Sequence, residues 1–306
     1  MNTGNQEVRS TSDLPSTKGG LSRCGRRRFL IGMGALVGFG IIQQKHGWAT
    51  ASSGIAWRSP EELVTIGFER SRVVMMNEAH SGPQRNIRTR EIGQRILPTA
   101  HAIGVRHLAM EALPSVVADA INETRQLPED APGYLADLEM RTFIQTALDL
   151  GWTLRAYDIE PDDYDPEVYE STLSLEFNRL RERIQAEKLV HILQGLASKA
   201  PLLVWCGNSH HFRLTTQMEE GEFTLMGQHF AELSGIKHFA IDQTVSVHFT
   251  DDPAQTERFD PLMPELAQRG GIAGFLIEEA PPNFFPDSPL MNAVDALILS
   301  TENELA

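Results

Sequence analysis

The chain has 306 residues and a formal charge of −14, with 27 basic against 41 acidic side chains. That balance opposes binding to nucleic acid or to anionic lipid, both of which call for clustered Lys and Arg. Only two cysteines are present, Cys24 and Cys206, and beyond the N-terminal region no stretch is apolar enough to span a bilayer.

Residues 1–25 are polar and without apolar period. Arg26, Arg27 and Arg28 then precede Phe29, Leu30 and an apolar run to Ile42. A basic region, a short apolar core and a small-residue exit make a signal peptide. The pair Arg26-Arg27, one spacer and Phe29-Leu30 resembles the twin-arginine export motif. An uncleaved anchor is the less favoured alternative, because the run is shorter than the ~20 apolar residues that cross a bilayer. Ala49-Thr50-Ala51 reads as the cleavage site, so the mature part is expected to begin at Ser52 and to reside in the periplasm. The translocase is then a partner during export, with no stable membrane insertion after cleavage. Residues 1–51 hold 7 basic and 2 acidic side chains, which leaves 20 and 39 and a formal charge of −19 in residues 52–306. Cys24 departs with the signal peptide, and one remaining cysteine permits no intramolecular disulfide.

Residues 52–306 read as a single α/β domain of alternating strands and helices. Ser59-Pro60-Glu61-Glu62 has the pattern of a capping box with proline at the first helical position. Arg72–Met76 is a strand candidate, followed by a helical pattern through Ile87, Ile92, Ile96 and Ile103 that Pro98 should kink or interrupt. Strand candidates follow at His107–Met110, Thr153–Tyr157, Leu202–Cys206, His238–Ile241, Ala273–Ile277 and Ala296–Leu299. Helices are expected at Met140–Leu150, Glu176–Leu196 and Leu225–Leu233. Pro128–Pro132 and Pro161–Tyr169 read as loops, and Phe249–Pro264 and Pro281–Pro289 as longer irregular connections. Alternation at this spacing predicts a mostly parallel, mixed central sheet flanked by helices.

In such a sheet ligands bind beyond the carboxyl ends of the strands. The first strand runs into Asn77-Glu78-Ala79-His80, the second into Glu111, the third into Asp158 and the fourth into Gly207-Asn208-Ser209-His210-His211. One sheet edge would gather three carboxylates and two imidazoles, and like charges so gathered need an arginine, a shared proton or a bound cation. Arg85 and Arg88 stand just after His80 and are candidates for that role and for stabilising an oxyanion. On the long helix, Arg181 and Glu182 either face the site or form a solvated charged face with Arg183 and Glu187. Two chemistries suit these residues. A divalent metal (Zn, Mn or Fe) held by Glu78, His80, Glu111 and His210 would activate water. Alternatively, a histidine oriented by a carboxylate would act as general base without metal. No G-x-S-x-G, P-loop, G-x-G-x-x-G or H-E-x-x-H motif is present. Cys206 reads as core rather than nucleophile.

VVMMNEAHSGPQR, a helix, then HLAMEAL resembles the start of the erythromycin-esterase, ChaN and Tiki/TraB superfamily. That group has a G-x-x-H element after the first core strand, a Glu after the second and a later G-x-x-H. The later element is present as Gly207-Asn208-Ser209-His210, whereas Asn77 stands where the first glycine is usual. Arg181-Glu182-x-x-Gln185-Ala186 and Asp158 are similar to features of the erythromycin-esterase branch. The resemblance implies an erythromycin-esterase/ChaN-like α/β fold and several activities: ester hydrolysis, metal-dependent peptide hydrolysis or haem binding. It makes His80 the base or a ligand, Glu78 and Glu111 partners or ligands, and His210 the second imidazole. Asn77, Asp158, Arg181, Glu182 and His211 would line the substrate. The expected activity is hydrolysis of an ester or amide in a small-molecule or peptide substrate. Non-covalent haem or iron binding, or binding without turnover, are the alternatives.

Overall fold

A computed structural model describes residues 54–301, apart from 80–82, 132, 167, 169, 170, 172, 173, 219, 245–261 and 281–289. The export segment and its cleavage site lie outside the described residues.

Seven strands form the central sheet in the order β3-β2-β4-β1-β7-β9-β8. They are β1 Val73–Glu78, β2 His107–Met110, β3 Thr153–Ala156, β4 Leu202–Gly207, β7 Phe239–Asp242, β8 Ile272–Leu276 and β9 Ala296–Ser300. All neighbours pair in parallel except β8 with β9. A separate antiparallel hairpin, β5 Thr215–Met218 with β6 Gly221–Thr224, follows β4.

The helices are α1 Pro60–Arg70, α2 Pro83–Ala102, α3 Ser115–Thr124, α4 Leu138–Asp149, α5 Leu175–Gly195, α6 Met226–Ser234 and two short ones, α7 Met263–Gln268 and α8 Leu290–Ala293. Ser59 and Glu62 form the expected reciprocal cap of α1. Pro98 does not interrupt α2. It sits on the exposed face, where water serves the carbonyl that a proline leaves without a donor. Among the described residues no helix is long and apolar enough to cross a membrane.

Period-two alternation along the strands sorts the core into two layers. Val74, Met76, Leu108, Met110, Leu203 and Trp205 pack with α1 to α4 on one face. Val73, Met75, Ala109, Val204 and Cys206 pack with α5 and α6 on the other. Both faces are covered, which is why β1 and β4 are buried at every position. The alternation also fixes the chemistry at the strand ends. Glu78 continues the series Val74, Met76 and so faces the α2 layer, whereas Asn77 continues Val73, Met75 and faces the opposite way.

Candidate active site

β1 is two residues longer than its apolar run, so Asn77 and Glu78 are part of the strand itself. Glu78 is buried, and Arg90 of α2 grips it with two bonds, Nε to Oε2 at 2.8 Å and Nη2 to Oε1 at 3.1 Å. Trp205 adds its indole N–H to Oε2 at 3.1 Å. The remaining Arg90 nitrogen donates to Asp137, just before α4, at 2.8 Å. Burial disfavours the Arg90 cation, but Glu78 and Asp137 more than offset this and raise its pKa. Gly93 makes the arrangement fit: a Cβ there would lie 2.6 Å from the Trp205 ring.

The second carboxylate is held from the opposite layer. Glu111 Oε1 accepts from Arg181 Nη2 of α5 at 2.5 Å, and Oε2 accepts from the Gly207 backbone N–H at 2.6 Å. The same guanidinium reaches both oxygens of Asp158 at 3.0 Å. Gln185 Nε2 donates to Asp158 Oδ1 at 2.7 Å, and Lys188 Nζ reaches the Asp158 carbonyl at 2.9 Å. Ala112, immediately after Glu111, has a φ of 57°, a left-handed conformation that a residue with a Cβ rarely adopts. This sharp turn brings its N–H to Asp158 Oδ2 at 3.3 Å.

His210 completes the cluster. Its Nδ1 lies 2.5 Å from Glu182 Oε1, and its Nε2 stands 3.6 Å from Glu111 Oε1. The other oxygen of Glu182 accepts the N–H of Met226, at the start of α6, at 2.6 Å. Gly227 allows α6 to approach: its N–H donates to the His210 carbonyl at 2.8 Å, and a Cβ there would meet the His211 carbonyl oxygen at 2.2 Å. Burial lowers the basicity of His210, but the Glu182 and Glu111 carboxylates outweigh it, and its pKa is pushed up to about 9. Near neutral pH this imidazole carries a proton, so it is set up as a donor rather than as a base.

The site thus brings together Glu78, Glu111, Asp158, Arg181, Glu182 and His210 from the sequence-derived set. On α5 the helix divides cleanly. Glu182 is 1% exposed, whereas Arg183 and Glu187 form an outward i,i+4 pair at 2.9 Å with side chains 65% and 48% exposed. The solvated-face reading therefore holds for Arg183 and Glu187 and fails for Arg181 and Glu182.

Three expected residues do other work. Arg88 pairs with Glu91 on the outer side of α2 at 3.1 Å and does not reach the carboxylates; compensation comes from Arg90 and Arg181. Asn77 is wholly buried and does not line the substrate side. Its Nδ2 donates to the Asn208 carbonyl at 2.5 Å and to Asp242 at 2.7 Å, and its Oδ1 accepts from Gln243 N at 2.8 Å. It clamps the ends of β1, β4 and β7 together. His211 is likewise buried and held neutral chiefly by burial. His80 and the side chain of Arg85 lie outside the described residues.

Sequence reasoning passed over Arg90, and it named Gln185 in a motif without giving it a role in the site. Arg90, Gly93 and Leu97 stand at i, i+3 and i+7 on the inward face of α2, and Gln185 follows Arg181 by one helical turn on α5. Both placements were available from helical periodicity.

Of the four expected metal ligands, Glu78, Glu111 and His210 are described and His80 is not. Among the described residues no group of three or more His, Cys, Asp or Glu side chains stands together to hold an ion. Glu78 faces Arg90, Glu111 faces Arg181 and His210 faces Glu182, so each of these expected ligands already has a charged partner.

A parallel sheet with helices on both faces, and Glu, Glu, Asp and His at successive strand ends, defines an erythromycin-esterase-like α/β fold. One solved structure that it resembles along nearly its whole length is an erythromycin esterase EreC mutant in its open conformation. That likeness has a TM-score of 0.53 and 12% identity, and covers 82% of this chain and 99% of that one. A protein from Bacillus cereus matches with TM-score 0.50 and 12% identity over 81% of this chain and 94% of its own. ChaN of Campylobacter jejuni, a structure with cofacially bound haem, gives TM-score 0.45 and 12% identity over 78% and 91%. Of the bacterial protein toxins that also match, the chain spans little more than a third, 37% of one such chain. No protein-family model matches the chain. No curated protein matches it in sequence. The erythromycin-esterase-like part of the resemblance seen in the sequence is borne out at the level of fold.

Proposed function

We propose that the chain is an exported hydrolase of ester or amide bonds, working at the edge of the sheet that carries Glu78, Glu111 and His210. The observation that carries this reading is the Glu182–His210 pair. A carboxylate fixed by a helix N-terminus holds one ring nitrogen, so the other is aimed at the end of β2. An oriented imidazole with one nitrogen presented to the reacting atoms is the common element of acyl-transfer sites.

His80, two residues beyond Glu78, is assigned the base from its place in the chain. It would take a proton from water as the water oxygen bonds to the carbonyl carbon. His210, already protonated, would give its proton to the departing oxygen or nitrogen as that bond breaks. Two imidazoles in opposite protonation states then need no metal, and Glu182 and Glu111 keep the proton on His210. The twin-arginine segment and cleavage after Ala51 belong to the same proposal and place the activity in the periplasm, with a small molecule or peptide as substrate.

The test is to purify the mature protein from the periplasm and screen it against p-nitrophenyl esters and p-nitroanilides, with His80→Ala and Glu111→Ala alongside. Hydrolysis lost in both variants supports the reading. Full activity in both variants removes this site. A protein that turns over nothing but develops a Soret band with added haemin belongs to the haem-binding alternative, and one that does neither is a binding protein on this scaffold.

A further inference from the structure

Asp158, two residues beyond the end of β3, takes donors from α5, from its own backbone and from the loop after β2. Its Oδ1 accepts from Arg181 Nε at 3.0 Å, Gln185 Nε2 at 2.7 Å and the Ile159 N–H at 2.8 Å. Its Oδ2 accepts from Arg181 Nη2 at 3.0 Å and the Ala112 N–H at 3.3 Å. Lys188 fixes the backbone at the same place, reaching the Asp158 carbonyl at 2.9 Å and Asp163 Oδ2 at 2.5 Å. Arg181, Gln185 and Lys188 stand at i, i+4 and i+7 on α5, so one stripe of the helix grips one strand end. Both carboxylate oxygens are taken up by protein donors, which separates Asp158 from a group that binds substrate.

Glu111 is reached from Asp158 at both its side chain and its backbone. Arg181 Nη2 is shared between Asp158 Oδ2 and Glu111 Oε1, the latter at 2.5 Å. Ala112, the next residue, makes the left-handed turn at φ 57° whose N–H Asp158 accepts. A further bond joins the same two loops, from the Ser115 N–H to Glu160 Oε1 at 2.7 Å. Glu111 is tied to β4 as well, its N–H to the Trp205 carbonyl at 3.0 Å and its Oε2 to the Gly207 N–H at 2.6 Å. The oxygen that Arg181 holds is the one 3.6 Å from His210 Nε2. A shift of Asp158 is therefore passed to the carboxylate oxygen beside the His210 ring.

We propose that Asp158 is a positioning residue of this site, acting through Arg181 to hold Glu111 beside His210; this rests on the hydrolase reading. Arg181 meets Asp158 through both Nε and Nη2, and that two-point grip fixes the plane of the guanidinium. Nη2 is then aimed at Glu111 without freedom to turn. Asp158→Asn keeps the shape but sets an amide NH2 against one of the two donor sets, whichever way the amide is turned. Displacing a positioned group by about 1 Å costs on the order of 100-fold in rate.

The experiment measures kcat and KM of the mature protein on the p-nitrophenyl ester that it hydrolyses fastest. Wild type is compared with Asp158→Asn, Arg181→Lys and the double variant, each checked for folding by circular dichroism. Arg181→Lys keeps the charge beside Glu111 but cannot span both carboxylates in a fixed plane. Each single variant should lose on the order of 100-fold in kcat with little change in KM. The double variant should lose no more than the worse single one, because both changes break the same link. Additive losses overturn the route through Arg181, and wild-type kcat in a folded Asp158→Asn protein overturns the proposal outright. A raised KM with unchanged kcat also overturns it and makes Asp158 a substrate contact. Should Asp158→Asn not fold, Arg181→Lys carries the test, and an unchanged kcat there has the same force. A wild-type protein that hydrolyses no ester or anilide removes the hydrolase reading and this role with it, a result distinct from the others.

Discussion

Glu182 joins His210 to the start of α6: one carboxylate oxygen lies 2.5 Å from the imidazole Nδ1 and the other accepts the Met226 N–H at 2.6 Å. The histidine loop and the helix are thereby tied through a single buried side chain. Glu182→Gln keeps the shape but removes the charge that holds the proton on His210. The variant should lose about 100-fold or more in kcat, and an NMR titration should find His210 well below its native value of about 9.

Arg90 neutralises Glu78 inside the protein, with both side chains almost fully buried. Arg90→Met removes the charge and leaves the carboxylate without its cation, which costs about 3–5 kcal/mol. Glu78→Gln added to Arg90→Met should recover part of that loss. Urea unfolding of the two single variants and the double variant measures the coupling.

Stability should peak between mildly acidic and neutral pH. His210 has a raised pKa, so its contribution is complete below about 6.5 and is lost as pH climbs toward about 9. His238 is shifted the other way, to about 4, by burial above all and by Arg213. Its Nε2 is paired with the His211 carbonyl, and among the described residues its Nδ1 has no partner, so a second proton would go unserved there. The unfolded chain takes up that proton between about 6.5 and 4, and stability falls with pH across this window by an amount on the order of 3 kcal/mol. His211 acts in the same direction. Denaturant unfolding as a function of pH should show the alkaline limb flattened in His210→Asn and the acid limb flattened in His238→Asn.

Gly227→Ala tests whether the close approach of α6 sets the histidine loop. The new Cβ would collide with backbone, the His211 carbonyl at 2.2 Å, so the loop rather than a side chain has to move. A stability loss of about 1–3 kcal/mol is expected. The decisive sign is a fall in kcat that persists at temperatures where the variant remains folded.

Much of this arrangement was legible from residue order alone. The strands came from short apolar runs, and a parallel sheet then had to collect Glu78, Glu111, Asp158 and His210 at one edge. The need for a compensating arginine was equally plain, but its identity was not. Arg85 and Arg88 are nearer to His80 in sequence, yet Arg90 is the arginine that shares a helical face with Gly93 and Leu97. Asn77 looked like a substituted glycine near a ligand, but strand alternation turns it toward Asp242, away from Glu78. α3 escaped notice because Pro114 caps it without a side-chain bond and its first turn bears no acidic residue. The antiparallel placement of β8 depends on pairing with β9, and nothing local to Ile272–Leu276 encodes a direction.

The central claim is that His210, oriented by Glu182, takes part in bond cleavage. Its most direct test is kcat/KM of His210→Asn against wild type on the best ester or anilide, with circular dichroism to confirm that the variant is folded. The account predicts a loss of about 100-fold or more in a folded protein. A folded His210→Asn protein with wild-type kcat/KM would contradict it.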